Sequence, residues 1–216
     1  LHLSIRRQRQ MCIRDRYQSV LIIHFMRSER VGSIYARRPP APRADVLLRI
    51  VSLVATILTG AIFGFFYAWV CSTMWGLDSI DPRVAIAAMQ AMNASVRNAV
   101  FFPAFFLTPA VLGLAAALAW TSSQHRCAAY FAASAVIYLV GGLLLTALVN
   151  VPMNEALGTL AVPESAARAR EIWSAYSAPW QAWNLTRTLA SGTSLVLASL
   201  ALIHLDARRT SAGRHP

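Results

Sequence analysis

Four long stretches of this sequence contain almost no charged residues, and they restrict the fold more than any other feature. A bilayer core about 30 Å thick is crossed by about 20 apolar residues in a helix. We therefore predict membrane-spanning helices at about residues 50–75, 98–124, 127–150 and 183–205, the last with one charge, Arg187. The runs are continuous and lack the alternation of barrel strands. The expected fold is all-α, an integral membrane four-helix bundle.

The composition supports the same conclusion. Hydrophobic residues make up 56% of the 216 residues, and the mean hydropathy is +0.48. A soluble domain of this length has a smaller apolar fraction. The lipid bilayer is therefore the first partner that the sequence predicts.

The chain divides into four parts by composition. Residues 11–16 (MCIRDR) resemble the translation of a transposon-end sequencing adapter. We therefore interpret residues 1–25 as an artefactual leader, with Met26 as a natural start. A genuine disordered arm has the same composition, so that alternative stays open. The remaining parts are a basic cytoplasmic arm at 26–46, the membrane domain at 47–205 and a basic tail at 206–216.

The arginines are unevenly distributed. Residues 1–43 hold ten of the 20 basic residues but only two acids. A basic segment just before an apolar span marks the cytoplasmic side of a membrane. Binding to nucleic acid is the other use of such a segment, and we expect none here. The distribution predicts that both termini are cytoplasmic, an N-in/C-in bundle.

The segment between the first two spans has the pattern of a helix. Asp81 followed by Pro82 is typical of an N-cap and a first turn. Residues 84–96 then place polar side chains at helical spacing. The alanine-rich, charged segment 156–179 is expected to be partly helical. The predicted bundle therefore carries short extra helices on its outer face.

Glycines and prolines inside the spans suggest how the helices pack. Gly60 and Gly64 fit the small-xxx-small pattern of closely packed membrane helices, and residues 141–142 offer a second such place. Pro103 and Pro109 are expected to kink the second span. Each proline frees a backbone carbonyl, which a neighbouring helix must then satisfy.

Polar side chains gather at the outer ends of the predicted spans. Asn150 and Asn154 lie four residues apart on one face of the third helix. Asn98 begins the second span at the same depth. Spacings of three and four residues put a further group on one face of the fourth helix: Trp180, Trp183, Asn184 and Arg187.

Two interpretations of this group remain open. In the first, Arg187 extends to the lipid headgroups and the asparagines only join helices. In the second, the guanidinium and the amides donate hydrogen bonds to an anionic or enolic oxygen, and the tryptophans stack on a flat aromatic ligand. The candidates for chemistry are then Arg187, Asn150, Asn154 and Asn184, and those for substrate binding are Trp180, Trp183, Asn98 and Glu155.

A proton acceptor is harder to find in this group. Glu155, next to Asn154, is the acid within reach, while His125 and His204 lie at the opposite ends of their spans. The sequence has no metal-ligand spacing, and we expect no metal site.

Four motifs resemble the anthrone oxygenase family of membrane proteins. They are residues 60–69 (GAIFGFFYAW), 88–93 (AMQAMN), 150–154 (NVPMN) and 180–187 (WQAWNLTR), and the resemblance extends over about residues 47–205. It implies a four-span bundle, and we expect this one to lie in the cytoplasmic membrane of a bacterium. For some fungal members it also implies oxidation of an anthrone to an anthraquinone by dioxygen, without a cofactor.

Two functions of different classes follow from these observations. One is a cofactor-independent oxygenase that acts on a flat, anthrone-like aromatic substrate. The other is a non-catalytic membrane scaffold or small-molecule-binding subunit, in which the same residues hold the helices together.

Overall fold

The computed structural model describes residues 43–212, with side-chain environments between residues 45 and 205. The proposed leader at 1–25 lies outside the described residues, as do most of the basic arm and the end of the basic tail. Within the described part, every regular element is helical. The predicted all-α class is therefore confirmed.

Five helices make up the described chain. They are α1 (Arg43–Ala68, continued by the π-helical Trp69–Thr73 and by Met74–Asp78), α2 (Pro82–Ser95), α3 (Phe101–Thr121), α4 (His125–Ile137, the π-helical Tyr138–Leu144 and Thr146–Asn150, then Val151–Gly158) and α5 (Ala166–Ala212). By length and composition, α1, α3, α4 and α5 can each cross a membrane. The prediction of a four-helix membrane bundle is confirmed.

The four long helices pack in a ring. α1 contacts α3 and α5, and α4 contacts the same two helices. Apolar side chains from all four meet in the centre, among them Ile62, Phe105, Phe131 and Ala198. α1 begins and α5 ends at the same end of the bundle. Which face of the membrane that end occupies stays a prediction.

α2 lies across the opposite end of the bundle, which we call the α2-covered end. The helix begins at Pro82, as predicted, and the Asp81 carboxylate accepts a hydrogen bond from the Arg83 backbone N–H at 2.9 Å. The Arg83 guanidinium also bonds to this carboxylate and lowers the pKa of Asp81 to about 2. Ile86 and Met89 face a second apolar core against α4 and α5.

α4 and α5 extend beyond their predicted spans at this end. α4 continues to Gly158, and α5 begins at Ala166 and passes through Pro179 without a break. These added turns bury Leu157 and Trp173 beneath α2. The predicted partly helical segment at 156–179 is thus largely an extension of the fourth spanning helix.

The backbone carbonyl that Pro109 leaves without a helical donor is satisfied by a neighbouring helix, as the sequence predicts. A proline at this position cannot donate to the carbonyl four residues earlier, which belongs to Phe105. The buried Tyr138 hydroxyl donates to that carbonyl at 2.9 Å. Pro103 lies in the first turn of α3, where a proline costs less than in the interior of a helix.

Of the two places predicted for close helix packing, the one at residues 141–142 is confirmed, and the one at Gly60 and Gly64 is not. A Cβ on Gly64 would meet nothing within 4 Å, and one on Gly60 would make an ordinary contact with Leu195 at 3.7 Å. A Cβ on Gly141 would lie only 2.5 Å from the Ala190 Cβ. The tight contact is therefore between α4 and α5.

Asp78, at the end of α1, holds the first part of α5. One carboxylate oxygen accepts hydrogen bonds from Trp173 Nε1 at 2.9 Å and Ser177 Oγ at 2.7 Å. The other accepts from Gln181 Nε2 at 2.9 Å. The three donors follow one another at intervals of four residues, so one carboxylate fixes one face of α5.

Replacing Asp78 with Ala should destabilise the protein, because three donors lose their acceptor at once. We expect a loss of about 1–3 kcal/mol, since hydrogen bonds to charged groups are strong but this site is partly exposed. Glu171→Ala is the matched control, since its ion pair with Arg168 is exposed and should contribute less than about 1 kcal/mol. Equal melting temperatures for the two variants in detergent would contradict this role of Asp78.

Candidate functional site

A cavity of about 780 Å³ lies at the α2-covered end, bordered by all five helices and the α2–α3 linker. Aromatic side chains form much of its wall: Phe65, Phe66, Trp69, Phe101, Phe102, Phe105, Phe106 and Trp180. The polar lining residues are Asn93, Ser95, Arg97, Asn98, Thr146, Asn154, Glu155 and Arg187. The cavity therefore combines flat apolar walls with a small polar group.

Arg187 is the buried charge of this site. The residue is only 5% exposed, and its Cζ lies 4.4 Å from the Phe66 ring centroid and 5.0 Å from that of Trp180. Both distances are those of cation–π contacts. In the described part of the chain no ion pair joins this guanidinium to a carboxylate. A guanidinium within a membrane span is costly, so it is expected to face a partner or a cavity.

Asn184 positions the guanidinium from one turn away on the same helix. Its Oδ1 accepts a hydrogen bond from Arg187 Nε at 2.9 Å, and its Nδ2 donates to the Phe66 backbone carbonyl at 3.2 Å. That carbonyl lies just before the π-helical part of α1, where the regular backbone bonding changes. Asn184 thus ties Arg187 to α1 and does not itself line the cavity.

The side-chain amide of Asn154 is bonded within the protein through its oxygen. Its Oδ1 accepts two hydrogen bonds at 2.8 Å, from the Tyr176 hydroxyl and from Trp180 Nε1. These two donors fix the orientation of the amide. Since Asn154 lines the cavity, the group that remains to bind a ligand is its NH₂.

Asn150 is completely buried, and neither atom of its amide has a hydrogen-bond partner in the described part of the protein. It ends a π-helical segment of α4, two residues before Pro152, which has no N–H to continue the helical bonding. Asn150 lies one turn from both Thr146 and Asn154, but it does not line the cavity. An unpaired buried amide costs about 1–3 kcal/mol, and such groups usually bind ordered water or a ligand.

The other predicted residues take different places. Asn98 and Glu155 line the cavity, and Glu155 pairs with Arg97 at 3.2 Å on the exposed rim. The Asn98 side chain also caps α3, because its Oδ1 accepts from the N–H groups of Val100 and Phe101. Trp183 is 42% exposed and lies outside the cavity, unlike Trp180.

Sequence reasoning did not select several residues of the site. Thr146 accepts from Arg187 Nη1 at 3.4 Å and lies one turn before Asn150 on the same face, which was the available signal. Trp69 packs on Trp180 with ring centroids 5.1 Å apart, and Phe66 lies under Arg187. Both belong to motif 60–69, but nothing in that motif shows which rings face inward.

The polar groups of the site are mainly hydrogen-bond donors. Arg187 and the Asn154 NH₂ donate, and Thr146 already donates to the Gly142 carbonyl at 2.6 Å. Glu155 is the carboxylate among the described residues that line the cavity. Donors next to aromatic walls fit a flat ring system that carries an anionic or carbonyl oxygen.

A protein-family model matches part of the chain. The family model described as anthrone oxygenase matches residues 92–197, a range that includes the motifs at 150–154 and 180–187 and ends before the last turns of α5. The chain matches no curated protein and no solved structure.

Proposed function

We propose that this member of the anthrone oxygenase family binds a flat aromatic compound with a phenolic or enolic oxygen and oxidises it with dioxygen. The observation that supports the proposal most strongly is the environment of Arg187. Its guanidinium is buried between two aromatic rings, lines a cavity and has no carboxylate partner among the described residues. An anionic ligand oxygen would complete this site.

The cavity supports the choice of an aromatic substrate by its walls and its size. Trp69, Trp180 and Phe105 present ring surfaces on which a fused ring system can stack or pack edge-on. A volume of about 780 Å³ lies within the range of about 300–1,000 Å³ that is usual for ligand pockets. It leaves room for a second reactant such as dioxygen.

The proposed reaction balances without a further reductant or oxidant. A base removes a proton from the activated methylene group of an anthrone, and the negative charge spreads to the ring oxygen. The electron-rich carbon then forms a bond to dioxygen, and a proton completes a hydroperoxide. Loss of one water breaks the O–O bond and gives the quinone, so one anthrone and one dioxygen yield one anthraquinone and one water.

The residues divide between two tasks in this scheme. Arg187 and the Asn154 NH₂ donate to the ring oxygen where the negative charge develops, and such donors lower the barrier most when they are fixed beforehand. Asn184 and Trp180 hold these two donors in place. The Glu155 carboxylate is the proposed proton acceptor because it lines the same cavity.

A direct test uses 1,8-dihydroxyanthrone with the purified protein in lipid nanodiscs. Dioxygen consumption and quinone formation are followed together, and empty nanodiscs give the rate of spontaneous oxidation. We expect faster oxidation with the protein, with one dioxygen consumed for each quinone formed. A rate equal to that of empty nanodiscs would contradict the oxygenase function.

Replacing Glu155 with Gln tests the proton acceptor. The amide cannot accept a proton, so we expect oxidation to slow by roughly 100-fold, a usual size for the loss of a general base. Binding should change by less than about threefold, because the side chain keeps its shape. Arg97→Gln is the control, since it removes the ion-pair partner and leaves the carboxylate. An unchanged rate for Glu155→Gln would show that Glu155 is not the proton acceptor and that water takes this role.

Ligand binding without chemistry is the second candidate. The observation in its favour is that the Glu155 side chain is 58% exposed and already paired with Arg97. The described residues that line the cavity therefore include donors for an anion but no carboxylate that is both buried and free of an ion pair. In that case 1,8-dihydroxyanthrone would bind to the protein and depend on Arg187, while its oxidation would stay at the spontaneous rate.

A further inference from the structure

The cavity is bordered by a gap between two of the spanning helices. Among the described elements, α3 contacts the first two segments of α4, His125–Ile137 and Tyr138–Leu144. α3 makes few contacts or none with the two later segments of α4, Thr146–Asn150 and Val151–Gly158. The two helices therefore part toward the α2-covered end, where the cavity lies.

Apolar residues form both edges of this opening, which we call the α3–α4 gap. Phe102 and Phe106 lie on the α3 side, and Ala147 and Val151 lie on the α4 side. Phe106 is 51% exposed, and Phe102 and Ala147 are also exposed. Each of the four also lines the cavity. A gap between neighbouring helices of a membrane bundle faces the lipid chains.

The end of the gap nearest to water is bridged by charge. Arg97, in the linker before α3, pairs with Glu155, on the last turns of α4, at 3.2 Å. Both residues line the cavity and are about half exposed. The ion pair crosses from the α3 side to the α4 side, so the apolar part of the opening is directed toward the bilayer.

The buried guanidinium of Arg187 lies on the α5 side of the cavity. It is held by Asn184 and Thr146, whereas the two phenylalanines of the gap belong to α3. A ligand that places its oxygen at Arg187 would direct its opposite end between α3 and α4. The space between these two helices is lined by apolar side chains, so it suits an aliphatic group.

We propose that the natural ligand is an aromatic compound with an aliphatic chain, which enters from the bilayer and leaves its chain in the α3–α4 gap. The inference rests on the proposed aromatic-binding function and names its substrate class. The aromatic head lies against Trp180 with its oxygen at Arg187. The chain passes Phe106 and Ala147 and remains among the lipid tails.

The test compares two probes that cannot be oxidised further, 1-hydroxyanthraquinone and its 6-dodecyl derivative. Binding to the protein in phosphatidylcholine nanodiscs is measured from the visible absorption band of each probe, and empty nanodiscs correct for partition into lipid. The parent protein should bind both probes with dissociation constants, expressed per lipid, that agree within about threefold. A cavity closed toward the bilayer would reject the dodecyl derivative, and that result would overturn the inference.

Ala147→Trp blocks the gap, and Ala133→Trp is the matched control on the same helix. Ala133 is exposed and lies outside the cavity lining. Ala147→Trp should weaken binding of the dodecyl probe at least about tenfold more than it weakens binding of the unsubstituted probe, because the indole occupies the path of the chain. Ala133→Trp should change neither. Equal effects of Ala147→Trp on both probes would also overturn the inference.

Arg187→Met separates this inference from the function on which it rests. If this variant binds both probes as the parent does, the proposed function fails whatever Ala147→Trp shows. If Arg187→Met loses both probes and Ala147→Trp keeps the dodecyl probe, the aromatic site stands and the gap is not the route of the chain. If the parent binds neither probe, both proposals fail.

Discussion

Replacing Arg187 with Met is expected to abolish ligand binding and oxidation while the bundle stays folded. Truncating one member of a buried charge contact costs about 2–5 kcal/mol, or roughly 30-fold to several thousand-fold in affinity. Loss of one fixed donor to a developing oxyanion slows a reaction by about 100- to 1,000-fold. Binding of 1-hydroxyanthraquinone and oxidation of 1,8-dihydroxyanthrone measure the two effects.

The same substitution should change stability little. A buried guanidinium without a carboxylate partner contributes little to folding, because removing it from water is costly, and an apolar residue of similar volume is often tolerated or stabilising. Against this, Asn184 Oδ1 loses the hydrogen bond from Nε, which costs about 1–3 kcal/mol if it stays unpaired. We therefore expect the melting temperature in detergent to shift by no more than about 10 °C.

Arg187→Lys is the matched control for charge. It keeps the positive charge but loses the planar fork that bonds Asn184 and Thr146 together. Binding should weaken less than in Arg187→Met, by about tenfold. If Arg187→Met unfolds the protein and the parent shows no binding, the non-catalytic scaffold is the correct function.

Replacing Gly141 with Ala is expected to give the largest loss of stability among single-methyl changes in the spans. The new Cβ would lie 2.5 Å from the Ala190 Cβ and 3.9 Å from its Cα, so α4 and α5 must move apart. Overpacking of this kind costs about 1–3 kcal/mol, which corresponds to a melting temperature lower by about 2–12 °C. Thermal unfolding in detergent measures it.

The displacement should also reach the site. Gly141 lies little more than one turn before Thr146, which bonds to Arg187. Moving α4 away from α5 here lengthens that contact, already 3.4 Å, so ligand affinity should fall together with stability. A variant that is destabilised but binds 1-hydroxyanthraquinone as the parent does would contradict this connection.

Two controls isolate the clash. Gly113→Ala adds a methyl group in α3 with nothing within 4 Å, so it should leave stability unchanged or raise it slightly. The double variant Gly141→Ala with Ala190→Gly removes the opposing methyl group and should recover most of the loss. Additive effects of the two single substitutions would show that the clash is not the cause.

Several features could be predicted because they depend on one segment at a time. The four spans follow from length and apolarity, the start of α2 follows from Asp81 and Pro82, and the need of Pro109 for an outside donor follows from its missing N–H. The polar group at one end of the bundle was predicted too, since Asn154 and Arg187 lie at matching depths on their own helices.

The membership of the site was less predictable because it depends on how helices rotate against each other. Trp183 lies at the edge of the inward-facing arc of α5, so spacing alone does not show whether it faces the cavity, and the structure places it at the surface. The π-helical segments of α1 and α4 add to the difficulty. Each wide turn rotates all later side chains relative to a 3.6-residue period.

The sequence by itself determined a helical membrane protein with Asn150, Asn154 and Arg187 near a common end, because bilayer thickness and backbone bonding act on each helix separately. Only the tertiary structure decided that the close contact is at Gly141 and not at Gly60 or Gly64, that Asp78 fixes α5 and that α3 and α4 part beside the cavity. Those features depend on distances between helices, and such distances are set by the packing of all four at once.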